Sequence, residues 1–158
     1  MTVEQLVTLI CRLASIASTN LYAYVNSTII RFGLAEFRKT RAGNLSGGNQ
    51  RKLSLCMAMI GRPKIIYIDE ASAGVDPGSR RTMWKAIRHE GADSAVVLTT
   101  HAMEEAEAIS TKIAIQVHGW FRSFGTLAQV LGEGQSGYFV DLSIDLDTMA
   151  AAILEDHV

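Results

Sequence analysis

The residues best suited to chemistry in this chain are two adjacent carboxylates, Asp69 and Glu70, which follow the run Ile65-Ile66-Tyr67-Ile68. That run is short, apolar and biased towards β-branched side chains, the pattern of a strand buried on both faces of a parallel sheet. In open α/β sheets chemistry sits beyond the carboxyl ends of the strands, which is where the two acids fall. Successive strand residues point to opposite faces, so the pair can take different posts around one ligand. An Asp there can hold a magnesium ion through water, and a Glu can polarise an attacking water. The plainer alternative is a strand that ends in two solvated acids, because so short a pattern recurs by chance.

A second candidate is Leu45-Ser46-Gly47-Gly48-Asn49-Gln50, leading through Arg51, Lys52 and Leu53 into a helix expected to reach about Ile60. Ser46 can cap that helix or donate its hydroxyl to a phosphate oxygen. Gly47 and Gly48 leave their amides uncovered, and the helix N-terminus adds a positive partial charge. Arg51 and Lys52 read equally well as surface charges. A third candidate is His101, at the end of the apolar run Ala95–Thr100. A lone His at a strand end is often structural or simply exposed, but here it would share an edge with the acids.

The elements that must position these groups follow from periodicity and punctuation. Thr2 and Gln5 fit a capping box that opens a helix reaching about Ala17, with Leu6, Leu9, Ile10, Leu13 and Ile16 as its apolar face. A second helix is expected from Asn20 to Phe32 on Leu21, Val25, Ile29 and Phe32, stopped by Gly33, and Arg38 to Gly43 reads as a polar linker. Gly61 and Pro63 lead into the Ile65 strand. Asp76 and Pro77 start a helix that carries Met83, Trp84 and Ile87 inward and stops at Gly91. The strand–helix–strand order implies parallel pairing through a right-handed crossover. A short helix from Met103 to Ser110 follows, then strands over 112–117 and 120–124 about a His118-Gly119 turn, and a small helix from Thr126 to Leu131. Tyr138–Ile144 alternates like a further strand, and Asp147–Leu154 reads as a last helix.

Bulk composition bounds the answer. The chain has 158 residues, 48% of them apolar, and a net charge of −1, which fits one domain with a real core and excludes a disordered tail. No basic stripe marks a nucleic-acid partner. Cys11 and Cys56 lie in apolar helical surroundings and read as buried reduced thiols. No apolar run approaches the roughly 18 residues needed to span a bilayer, so any membrane connection is expected through a partner. Glu4 and Arg12 interrupt the N-terminal apolar segment, which argues against a signal peptide.

Together the motifs resemble the later part of an ABC-type ATPase domain. Leu45-Ser46-Gly47-Gly48 matches the signature motif, Ile65–Glu70 the Walker B strand with its following glutamate, Ala73–Asp76 the D-loop and His101 the switch histidine. The flavour is most similar to subfamily A, the lipid exporters. It rests on Arg51-Lys52-Leu53 after the signature, the Arg80-Arg81 pair before Trp84, Thr100-His101-Ala102-Met103-Glu104-Glu105, and the Gly119 to Gly125 segment. Ala71 departs from the proline usual after the glutamate. No GxxxxGK[ST] loop or glutamine loop is present in the sequence, so Met1 reads as an internal methionine of a longer frame and the domain as truncated at its N-terminus.

The resemblance implies an α/β fold, a P-loop NTPase-like core with a parallel sheet preceded by a helical signature subdomain. Residues 1–131 would be a partial ATPase domain, divided into 1–60 (helical, with the signature) and 61–131 (core), and 132–158 would begin a regulatory-type extension. It also implies ATP and Mg2+ as cofactors. Glu70 would polarise the attacking water, His101 would contact the γ-phosphate and Asp69 would order magnesium. Ser46, Gly47 and Gly48, followed by Asn49 and Gln50, would bind ATP held by a second domain with an intact phosphate loop, and Asp76 would couple the two sites. The implied partners are that second domain and the transmembrane domains of a transporter, on the cytosolic face of a membrane. The alternative is a non-catalytic fragment or interaction module that completes a partner's ATP site; against a third reading, a soluble ABC ATPase of translation or DNA repair, stand the subfamily A features and the lack of a basic stripe.

Overall fold

The computed structural model describes residues 1–16 and 18–132. The expected strand at 138–144, the helix at 147–154 and the extension from 133 onward lie outside the described residues, as does position 17. The chain divides into two compact units, Met1–Thr111 and one beginning at Lys112.

The first unit opens with helix α1 (Val3–Leu13), and its start follows the capping-box expectation. Gln5 N–H donates to the Thr2 hydroxyl at 3.3 Å, and Thr2 N–H donates to the Gln5 side chain at 2.9 Å. Its buried stripe differs from the expected one. Val3, Val7 and Cys11 are buried, Leu6 and Ile10 pack beside them, and Leu9 and Leu13 face solvent. The buried i, i+4 row thus borders the expected face, of which Leu6, Ile10 and Ile16 pack against the core and only Leu9 and Leu13 turn outward. Helix α2 (Leu21–Arg31) buries Val25, Ile29 and then Phe32, and Gly33 ends it at φ +66°, a conformation that costs other residues dearly.

The 38–44 segment is an anchored turn rather than a free linker. Arg38 reaches both Glu4 of α1 and Asn26 of α2, its carbonyl accepts Glu4 N–H at 3.1 Å, and Thr40's accepts Val3 N–H at 3.0 Å. Helix α3 (Gly47–Met59) then buries Leu53, Leu55, Cys56 and Met59. Both cysteines are free and buried, and burial first, with the charge of Cys11 second, pushes the Cys56 thiol up to about 12.

Strand β1 (Ile65–Asp69), helix α4 (Pro77–Glu90) and strand β2 (Ala95–Thr99) form the expected crossover, with β1 and β2 parallel and in register from Ile65↔Ala95 to Asp69↔Thr99. The expectation of strands buried on both faces is not met. Ile66 and Ile68 are buried and Val96 and Leu98 half-buried, whereas Ile65, Tyr67 and Val97 are 56, 77 and 50% exposed. The buried face has α3 and α4 to pack on; no described element of this unit covers the other. Helix α5 (Met103–Ile109) closes the unit against α4, where the Trp84 indole N–H donates to buried Glu105 at 3.0 Å. Trp84 is thus half-exposed and held at its polar tip, not fully inward.

In the second unit β3 (Ile113–Val117) and β4 (Trp120–Gly125) form an antiparallel hairpin. Its two-residue turn places His118 and Gly119 at φ +50° and +81°, as a type I′ connection requires. Helix α6 (Leu127–Leu131) begins at a second capping box, Thr126 with Gln129. Among the described residues no helix is long and apolar enough to cross a membrane.

The core of the first unit depends on its largest fully buried side chain, Phe32. Phe32→Ala is expected to cost about 3–5 kcal/mol, because the cavity it leaves between rigid helices cannot collapse fully. The check is the midpoint of urea unfolding, with Leu13→Ala, an exposed leucine, unchanged as control.

Candidate functional site

The parallel ladder decides which side chains meet. Asp69 and Thr99 are register partners, so their side chains emerge on the same face at the carboxyl edge, and the Thr99 hydroxyl donates to Asp69 Oδ1. The chain leaves β1 at Glu70, which sits at φ +44°, a conformation uncommon for a residue with a side chain. Its N–H donates to the Thr99 carbonyl at 3.1 Å, and its own carbonyl accepts Ala73 N–H at 3.1 Å, so the unusual backbone is held on both sides. His101 Nδ1 lies 3.1 Å from Glu70 Oε1, with the two side chains 73 and 51% exposed. A neutral imidazole with its proton on Nδ1, or an imidazolium, donates to the carboxylate in that geometry. Thr100 fixes the approach, since its hydroxyl accepts Ala102 N–H at 3.0 Å just before α5.

Glu70 and His101 therefore meet, and Asp69, paired with Thr99, stands at the same carboxyl edge, as the strand order implies. No group of three or more metal-binding side chains occurs among the described residues. A single exposed carboxylate still fits magnesium, which keeps several waters and needs only one or two carboxylates when phosphates supply the rest.

The glycine-rich stretch forms a second locus. Leu45 is buried and anchors it, Ser46 caps α3 by accepting Asn49 N–H at 3.4 Å, and Gln50 Nε2 donates to the Leu45 carbonyl at 3.1 Å. Because the Ser46 oxygen is used as an acceptor, its hydroxyl proton is left to donate outward. Among the described residues a Cβ on Gly47 would meet nothing within 4 Å, so their packing does not demand glycine there, whereas one on Gly48 would touch the Val75 methyls at 3.9 Å. Asp76 caps α4 by accepting Ser79 N–H at 2.9 Å. A cleft of about 530 Å³ lies between the two capped helices, lined by Ser46, Gly48, Asn49, Lys52, Asp76 and the 33–37 turn. Asp69, Glu70 and His101 do not line it.

Three residues contribute in ways that the sequence did not assign to them. Lys52 is buried rather than a surface charge, and its ammonium acts on Asp76 across the cleft. Arg80 Nε donates to the Val75 carbonyl at 2.8 Å and so fixes the turn before Asp76. Thr99 pairs with Asp69, and nothing in a single strand's sequence reveals which residue its neighbour sets opposite it.

The ABC transporter family profile matches residues 2–73. The chain is similar to ATP-binding cassette sub-family A member 7 of Mus musculus, 36% identical over 148 residues that cover 92% of this chain and 7% of that protein. It is likewise similar to the retinal-specific phospholipid-transporting ATPase ABCA4 of Homo sapiens, 40% identical over 139 residues, 86% of this chain and 6% of that one. The chain thus spans under a tenth of the length of either relative. A solved ATP-binding subunit of an ABC transporter superposes with a TM-score of 0.69 at 21% identity, covering 98% of this chain and 62% of that one, which shows the shared α/β fold.

Asp76 makes the pH behaviour of the second locus testable. The Ser79 backbone N–H, then the Ser79 hydroxyl and the Lys52 charge, hold its carboxyl below the ordinary value of 3.8. A depressed folded-state value contributes stability that is present above pH 3.8 and lost as pH falls through the lower folded value. Hydrogen exchange at the Ser79 amide is therefore expected to stay slow through pH 4 and to speed up below it. In Asp76→Ala the protection should be weak throughout, without that acid transition.

Proposed function

We propose that this chain, which belongs to the ABC transporter ATP-binding domains and is similar to those of subfamily A, serves ATP binding and hydrolysis coupled to transmembrane transport of a lipid. The observation that carries this reading is the convergence of Asp69, Glu70 and His101 at one sheet edge, with His101 Nδ1 3.1 Å from Glu70 Oε1. The lipid assignment draws on the relatives whose names describe phospholipid-transporting ATPases.

In this reading Glu70 accepts a hydrogen bond from the attacking water and draws its proton away as the water approaches phosphorus. His101 orients that carboxylate through Nδ1 and presents Nε2 to the terminal phosphate. Asp69 holds a water of the metal's shell. Magnesium, when bound, neutralises the charge that builds on the phosphate oxygens. Ser46, Gly47, Gly48, Asn49 and Gln50 serve a different nucleotide, one held by a second ATP-binding domain, through the capped end of α3. Asp76, beside them in the cleft, links that locus to the chain's own edge. Gln50 donates one amide proton to the Leu45 carbonyl, which holds the loop's shape and leaves its second proton and its oxygen for nucleotide.

The 158 residues contain no GxxxxGK[ST] loop, so the main grip on the β- and γ-phosphates comes from another segment or chain. The proposed partners are therefore a second domain with that loop and the membrane domains of a transporter, with the ATP-binding parts at the cytosolic face. We assign 1–60 to the helical signature part, 61–131 to the core and 132–158 to an extension. The second reading, a module that completes a partner's ATP site without catalysis of its own, is favoured by the open space at Gly47.

Two substitutions separate the readings, in an assembly with the polypeptide that supplies the phosphate loop. Glu70→Gln should stop ATP hydrolysis while nucleotide-driven pairing persists; unchanged turnover would sink the catalytic assignment. Gly47→Ala adds a methyl that meets no atom of the described residues, so thermal unfolding should stay put while ATP-driven pairing is lost. Normal pairing in Gly47→Ala would remove the trans role.

A further inference from the structure

We infer that Thr99 is a positioning residue, whose hydroxyl fixes the carboxylate of Asp69 in the orientation that the proposed metal role requires. The ladder places Asp69 and Thr99 as direct register partners at the last pair of a parallel sheet, so their side chains share a face about one strand spacing apart. That face is exposed, and the Thr99 hydroxyl is the one side-chain donor to Asp69 among the described residues. Without it, an exposed Asp at a strand end samples several staggered rotamers. With it, Oδ1 is occupied and Oδ2 is left in one direction, open to a metal-bound water.

The same residue also acts through its backbone. The Thr99 carbonyl accepts Glu70 N–H at 3.1 Å, which holds the φ of +44° that turns Glu70 out of the strand and towards His101. One residue of β2 thus sets both acids, Asp69 by its side chain and Glu70 by its main chain. The division of labour with its neighbour is clear, because the Thr100 hydroxyl is spent on Ala102 N–H. Packing gives no other reason for a hydroxyl at position 99. The preceding outward residues of β2 are Ala95 and Val97, and valine has the same branched shape and strand preference as threonine.

The inference rests on the proposed role of Asp69 only for its consequence in hydrolysis, and the test separates the two. In the full 158-residue chain, NMR three-bond couplings to the Asp69 carboxyl carbon report its χ1 rotamer without nucleotide or metal. Wild type and Thr99→Ser are expected to show one rotamer, and Thr99→Val the loss of that single state to averaged couplings, with the amide spectrum away from the sheet edge unchanged. Averaged couplings in wild type, or a single unchanged rotamer in Thr99→Val, would overturn the inference whatever Asp69 does. Should Thr99→Val fail to fold, Thr99→Ala is read in the same way.

In the ATP-hydrolysing assembly, Thr99→Val should raise the magnesium concentration for half-maximal turnover several-fold, and Thr99→Ser should restore it. If Asp69→Asn abolishes turnover while Thr99→Val leaves the magnesium dependence untouched, the positioning role fails and the ATPase reading stands. If Asp69→Asn turns over normally, the ATPase reading fails, and the couplings alone decide the role of Thr99.

Discussion

The pairing of β1 with β2 in parallel register is the constraint on which everything else at the carboxyl edge depends. Parallel strands cannot be joined by a tight turn, so the chain must travel through α4 before β2 begins. That detour is what lets residues about thirty positions apart arrive side by side: Asp69 opposite Thr99, and Glu70 against His101. A slip of one residue would send Thr99 to the opposite face and break the Glu70 N–H bond to its carbonyl. The register is held on the buried face by Ile66 and Ile68 with Val96 and Leu98, packed on helices. Apolar burial on one side of the sheet therefore enforces the placement of charge at its end.

Much of this was legible in the sequence because the signals are local. Thr2 with Gln5, Asp76 with Pro77, and Gly33 each mark a helix end by the backbone group they satisfy or the dihedral they permit, whereas Gly91 ends α4 at an ordinary φ of −85° where a Cβ would press on the Ile87 carbonyl at 2.7 Å. The order of strands and the shared edge of Asp69, Glu70 and His101 follow from connectivity. What the sequence hid is non-local. The burial of Lys52 depends on α4 and the 33–37 turn closing around it, and the pairing of Thr99 depends on register. The buried stripe of α1 is set by where its neighbours lie, so Val3, Val7 and Cys11 take the centre of the contact, Leu6 and Ile10 its flank, and Leu9 and Leu13 are left in solvent.

The sheet is the element where local pattern misleads most. Ile65, Tyr67 and Val97 are apolar enough to read as core, yet no described element of the first unit lies over them. Parallel sheets are ordinarily covered on both faces, and a bare face of this kind gains nothing from staying in water. The composition of β1 thus records a fuller burial than the described residues provide.

The two loci differ in how they are built, and the difference bears on what each can do. At the carboxyl edge the groups are polar, exposed and held by single hydrogen bonds across strands, so in water their mutual attraction is weak. Such an arrangement gains strength only when a ligand excludes solvent and the local dielectric falls. The cleft between α3 and α4 is organised the other way, around a buried cation and two capped helix ends. Its geometry is fixed before anything binds, since the caps on Ser46 and Asp76 satisfy backbone groups that fold with the helices. A rigid cleft can report the arrival of a partner, whereas the edge can only react once its phosphates are present. In the proposed function this assigns recognition to the α3–α4 locus and chemistry to the β1–β2 edge, with the turn from Glu70 to Asp76 as the covalent link between them.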